Sequence, residues 1–157
     1  MRFPIQLLAC AAALAFACKG EAAQVDPKSL YRFEAAAVPE VLAAGGEGRF
    51  RLAVRPTKAG AHVKAETPFR GTLAATGPLR LAKAEIAWED RARVEGGGPI
   101  FEIPFHADAA GTGALSADLV YFVCTDTACM RTTEQVSVPV RVDRKSTRLN
   151  SSHLGIS

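Results

Sequence analysis

Arg49-Phe50-Arg51-Leu52-Ala53-Val54-Arg55 sets Phe50, Leu52 and Val54 against a row of arginines, one residue in between each time. Successive side chains of a β-strand point to opposite faces, so this spacing predicts a strand with one face in a core and the other in water. The period recurs at Phe101, Ile103, Phe105 and Ala107, at Leu115, Ala117, Leu119, Tyr121 and Val123, and at Val136, Val138, Val140 and Val142. Weaker strands are expected over residues 31–37, 61–65, 69–74 and 79–87.

Turn-forming Gly and Pro clusters separate these runs, at residues 43–48, 56–60, 76–78, 96–99 and 110–113. No long helical period follows residue 17. Many short strands at this spacing predict an all-β fold, an immunoglobulin-like antiparallel β-sandwich. Pro104 and Pro139 each sit inside a strand pattern and suggest edge positions or bulges, because proline cannot donate to the ladder.

Neither end of the chain reads as folded domain. Residues 1–17 carry Arg2 and then an apolar run from Ile5 to Ala17 broken only by Gln6, the pattern of a secretory leader too short for a comfortable membrane span. Two processing routes fit. Leu14-Ala15-Phe16-Ala17-Cys18 satisfies a permissive lipobox and would make Cys18 a lipid-modified N-terminus; Gly20-Glu21-Ala22 offers ordinary cleavage and a soluble product. Either product is exported, and a single acyl chain would attach it to a bacterial membrane without spanning it. Residues 18–28 read as a tether. At the far end, residues 143–153 resemble, codon for codon, the in-frame translation of a sequencing adapter, so residues 143–157 are set aside as a non-native tail. The domain is then expected over residues 29–142.

The trimming changes the charge. The whole chain has a formal net charge of +3, but Arg2 leaves with the leader, and Arg144, Lys145 and Arg148 leave with the tail against Asp143, so residues 18–142 are neutral. A neutral domain gives no electrostatic case for nucleic acid or an anionic surface as partner. About 125 residues remain, enough for one core but not two.

Four cysteines become two. Cys10 belongs to the leader and Cys18 is acylated or removed, which leaves Cys124 and Cys129 in a compartment where disulfides persist. They flank the loop Thr125-Asp126-Thr127-Ala128 of an expected hairpin, and directly opposed residues of an antiparallel pair can meet disulfide distances. The spacing is not that of a C-x-x-C motif. Nor does it suggest zinc: His62 and His106 are isolated and read as ordinary polar residues, and His153 belongs to the tail. No metal or other cofactor is expected. Closing a ring of about six residues stabilises a fold by only about 2 kcal/mol on the loop-entropy model. So small a contribution tilts toward an exchangeable bond, while a simple staple is equally at home in an exported protein.

The segment from Leu119 to Val142, with Cys124-Thr125-Asp126-Thr127-Ala128-Cys129 and a valine-rich strand behind it, resembles the end of the N-terminal periplasmic domain of the thiol:disulfide interchange protein DsbD family. Phe50 to Lys64 with Pro68-Phe69 resembles the middle of that domain. The resemblance implies an immunoglobulin-like sandwich in which Cys124 and Cys129 cycle between dithiol and disulfide, taking electrons from a membrane partner and passing them to thiol/disulfide proteins of the periplasm. Met130-Arg131-Thr132 stands where family members often have a proline. The stretch corresponding to the family's cap loop, residues 88–98, has no aromatic beyond Trp88.

Trp88 is expected either in the core or as a cap, and Glu89 and Asp90 either raise a nearby thiol pKa or are solvated. Phe122 is expected either in the core or as a docking contact. Two functions of different class follow. One is a thiol-disulfide exchange module using Cys124 and Cys129; the other is a non-catalytic exported sandwich, a binding or assembly lipoprotein with a stapled hairpin.

Overall fold

The computed structural model describes residues 25–144. The expectations for the leader, Cys10, Cys18, most of the tether and residues 145–157 lie outside them. The tether's last two residues, Pro27 and Lys28, instead open a 3-10 turn, Pro27–Leu30, whose first exposed N–H groups are met by Asp26. The strands are β1 (Tyr31–Val38), β2 (Val41–Ala43), β3 (Glu47–Pro56), β4 (Arg70–Ala75), β5 (Leu79–Leu81), β6 (Glu85–Ala87), β7 (Arg93–Glu95), β8 (Gly98–Ala107), β9 (Gly111–Cys124) and β10 (Cys129–Asp143).

They form two sheets. One runs β1-β3-β8-β5 with β7 also on β8, and the other runs β2-β10-β9-β4-β6. Lettering β1, β3, β4, β5, β8, β9 and β10 as A to G gives A-B-E-D and G-F-C, the strand order of an immunoglobulin constant-type sandwich. The fold is therefore all-β and immunoglobulin-like, as the alternation predicts. One pair departs from antiparallel: after the cis Val38–Pro39 bond the chain changes sheet, and β2 lies parallel to the end of β10.

The alternating runs place the core. Phe50, Leu52 and Val54 from β3, Phe101, Ile103 and Phe105 from β8, and Leu115, Leu119, Tyr121 and Val123 from β9 are all buried between the sheets. Phe69 stacks on Phe101 at 4.7 Å and on Tyr121 at 5.4 Å between ring centroids, which joins the two layers. Offset aromatic pairs of this kind add to the area they bury.

Three expectations need correction. Residues 61–65 form no strand; His62 makes only an isolated bridge to Cys124, while Ala61 and Val63 are buried. Residues 79–87 split into β5 and β6, which belong to different sheets, with Lys83 at the crossing. β10 itself includes Asp143, which pairs with Ala43 and whose carbonyl accepts from Ala44 N at 2.9 Å. Pro104 lies in a strand with neighbours on both sides, and it is tolerated because its carbonyl meets Ala82 N just past the end of β5, where the pairing strand has run out. Pro139 does lie on an edge: β2 pairs with β10 only at residues 141–143.

The outward face of β3 is less simple than its arginines suggest. Ala53 and Ile100 are turned outward yet each is 1% exposed. Register sets Glu34 and Arg93 beside them, and these join Arg55, Glu95 and Glu102 in a web of ion pairs laid over the two apolar side chains.

Candidate functional site

Cys124 ends β9 and Cys129 begins β10, directly opposite in register. Their Cα atoms are 3.9 Å apart and the sulfurs are bonded. The tip is closed by Thr125 N donating to Ala128 O at 2.8 Å, while Ala128 N donates to Thr125 Oγ1 at 3.3 Å. The hairpin disulfide is thus present.

The two sulfurs do not share one environment. Cys124 is 0% exposed and Cys129 is exposed. The cover over Cys124 comes from the connection between β3 and β4, residues 57–69. His62 N donates to Cys124 O at 2.9 Å and Cys124 N donates to His62 O at 2.8 Å, a reciprocal pair that continues into no ladder. Next to it Val63 N donates to Gly97 O at 2.8 Å. Gly97 has φ +82°, and a Cβ there would stand 3.2 Å from His62 Cβ, so the turn between β7 and β8 presses on the connection from one side. On the other side the Asp126 carboxylate of the hairpin tip lies against Gly60.

His62 is the residue that sequence reasoning missed. Its ring behaves as the ordinary polar group the sequence suggests, with Nδ1 2.9 Å from Gly60 O. Its backbone is what covers the cysteine. Nothing within three residues of His62 signals that, because the partner, Cys124, lies 62 positions later. His106 stands apart, 3.5 Å from Asp108.

The expected cap stretch divides: Gly97, near its end, braces the segment over Cys124, while its first three residues lie elsewhere. Trp88, Glu89 and Asp90 line a separate cleft of about 920 Å³ with Glu66, Phe69 and Val120, and neither cysteine contributes to that lining. Trp88 is buried, with the Arg91 guanidinium 4.5 Å over its ring and Arg91 Nη1 donating to its carbonyl at 2.7 Å. Asp90 accepts from Lys83 Nζ and, at 2.9 Å, from Ala87 N; the Lys83 ammonium first and that N–H second hold its carboxyl below the usual range. Its charge is therefore committed to its own turn. Phe122 takes neither expected role cleanly: it is half-buried on the outer face, in register with Arg131.

A second polar group lies where β1 meets β10. The Tyr31 hydroxyl is 2.7 Å from Thr132 Oγ1 and donates to Glu134 Oε1, and burial, followed by that carboxylate, pushes its pKa up. Burial pushes the Tyr121 phenol up further, and its hydroxyl has no hydrogen-bond partner among the described residues. Among the described residues no group of three His, Cys, Asp or Glu is placed to hold a metal ion, and no helix is long and apolar enough to cross a membrane.

The fold and site together define an immunoglobulin-like sandwich with a half-covered hairpin disulfide. No family model and no curated protein matches the chain. Among solved structures it is similar to a segment of Escherichia coli alpha-2-macroglobulin running from domain MG7 to the C-terminus, with a TM-score of 0.46, 18% identity, and coverage of 73% of this chain and 17% of that one. It is also similar to a cohesin module from a Clostridium perfringens family 33 glycoside hydrolase, with a TM-score of 0.37, 13% identity, and coverage of 74% and 98%. A conjugative transposon lipoprotein from Bacteroides eggerthii has a TM-score of 0.32 and 11% identity, with coverage of 68% and 95%. The fold assignment rests on the strand order above rather than on these likenesses.

Proposed function

We propose that this chain is an exported, non-catalytic β-sandwich that binds or assembles with a partner, and that Cys124–Cys129 is a structural staple. The observation that supports it most is the cover on Cys124: a buried sulfur under a reciprocally bonded backbone, with the large cleft elsewhere. A pair built for exchange needs a sulfur that an incoming thiolate reaches and a leaving sulfur that water or a base can serve. The leader pattern supports export, and Cys18 is the proposed point of lipid attachment, checked by the mass of the mature N-terminus.

The test of the staple is the reduction potential of the pair against dithiothreitol. A structural bond is expected below about −300 mV, and a value in the range of exchange proteins, about −120 to −270 mV, would replace this reading.

A second reading is favoured by the exposure of Cys129. In it the domain works as the DsbD resemblance implies, between a membrane electron donor and periplasmic thiol/disulfide proteins. The Cys129 thiolate attacks a partner disulfide and releases one partner thiolate; Cys124 then attacks Cys129 Sγ of the mixed disulfide and releases the other. Cys124→Ser would accumulate that mixed disulfide and Cys129→Ser would not. Its absence in both variants defeats the exchange reading.

A further inference from the structure

What the bond fastens can be read from its neighbours. β9 and β10 are paired along fourteen residues, so a cross-link at their last pair adds little to that ladder. The residues that gain are those of the 57–69 connection. Its backbone bridge to β9 is the His62–Cys124 pair, at the terminal residue of the strand, where an unlinked hairpin end opens most easily, and at its far end Phe69 stacks on Tyr121 of the same strand. Beyond that bridge the connection runs free of ladder pairing until Arg70, and Ala65, Glu66, Thr67 and Pro68 line the 920 Å³ cleft. Trp88, the chain's one tryptophan, lines the same cleft.

We infer that the Cys124–Cys129 bond sets the position of residues 57–69 and so completes the wall of the cleft, which is built only in the oxidised protein. This inference rests on the structural reading of the bond and names what the bond supports. The bond forms by exchange with a donor disulfide. Cys124 and Cys129 together lose two electrons and two protons, and the donor leaves as two thiols. The cleft is then assembled after export and not before, since a reducing compartment leaves the hairpin end open.

Amide hydrogen exchange on the full chain, oxidised and after reduction with a phosphine, tests this, with the double variant Cys124→Ser, Cys129→Ser as a reductant-free control. Exchange at the His62 and Cys124 amides is expected to rise about tenfold or more, while Leu52 and Phe101 in the core stay unchanged. Acrylamide quenching of Trp88 is expected to rise about twofold, as the stretch from Ala65 to Pro68 in the same lining loosens. Unchanged exchange at His62 and Cys124 would overturn the inference and leave the staple reading to its own potential measurement. An equal rise at all four amides would overturn it too, since the bond would then support the whole domain rather than the connection.

Discussion

The Tyr31 hydroxyl donates to Glu134 Oε1 at 2.5 Å, tying the first strand of one sheet to the last strand of the other. Thr132 Oγ1 shares that hydroxyl, and Lys28 Nζ approaches the same carboxylate at 3.8 Å. Removing the hydroxyl leaves a buried threonine and a half-covered carboxylate without their donor. Tyr31→Phe is therefore expected to cost about 1–2 kcal/mol in urea unfolding. Tyr121→Phe removes a buried hydroxyl that has no partner, and is expected to be neutral or stabilising. Equal losses in the two variants would contradict the arrangement.

Both phenols titrate above the ordinary value of 10.0, so the folded state holds their protons more tightly than the unfolded chain does. That contribution is complete below pH 10.0 and is lost as the pH rises toward the folded-state values. Denaturant midpoints measured from pH 8 to about pH 11 should fall in the upper part of the range, and Tyr121→Phe should flatten the fall.

Asp90 has the opposite sign. Lys83 and the Ala87 N–H hold its carboxyl below 3.8, so its contribution is present above that value and is lost as the pH falls through the folded-state value. Asp90→Asn keeps the Ala87 bond but loses the charge, and should cost about 0.5–1 kcal/mol at neutral pH and nothing in strong acid. A cost independent of pH would show that geometry, not charge, is what Asp90 supplies.

Replacing both cysteines by serine should lower stability by about 2 kcal/mol, the value for so short a ring. A loss several times larger would mean that the bond organises more than the hairpin and the connection beside it.

Glycines give a contrast in backbone space. A Cβ at Gly98 would lie 1.8 Å from Val54 O, just past the last β3–β8 pair, Ala53–Ile100, where Val54 is paired with Phe33 and Gly98 with Glu95, so neither strand can yield without breaking pairing. Gly98→Ala is expected to cost about 3 kcal/mol or more. Gly96→Ala meets open space and only a positive φ of +59°, and should cost about 1 kcal/mol.

Where alternation was strict, the strands and their buried faces were legible: Phe50 to Val54, Phe101 to Ala107 and Leu115 to Val123 each sit as their period requires. Residues 61–65 deceived because Ala61, Val63 and Ala65 alternate as a strand does, and Ala61 and Val63 do join the core, yet the backbone pairs with a strand only at His62. Residues 79–87 read as one run because a sheet crossing leaves no mark beyond Lys83. The cysteines could be paired from position and spacing. Their unequal exposure could not, since it depends on His62, and a contact 62 positions apart has no local signature.

The edge that Pro139 occupies has a colloidal consequence. Cys124 uses its N–H and C=O on His62, so Cys124 and Cys129 are a non-hydrogen-bonded pair, and the two-residue period makes Ala114 and Pro139 another. The nitrogen of Pro139 therefore faces outward, just before β2 closes the edge at Arg141. Any foreign strand zipping along β10 toward β2 meets a missing donor there, and five residues earlier it meets the inward-turned carboxylate of Glu134. A missing donor and an inward carboxylate on the same edge both oppose the addition of a foreign strand there.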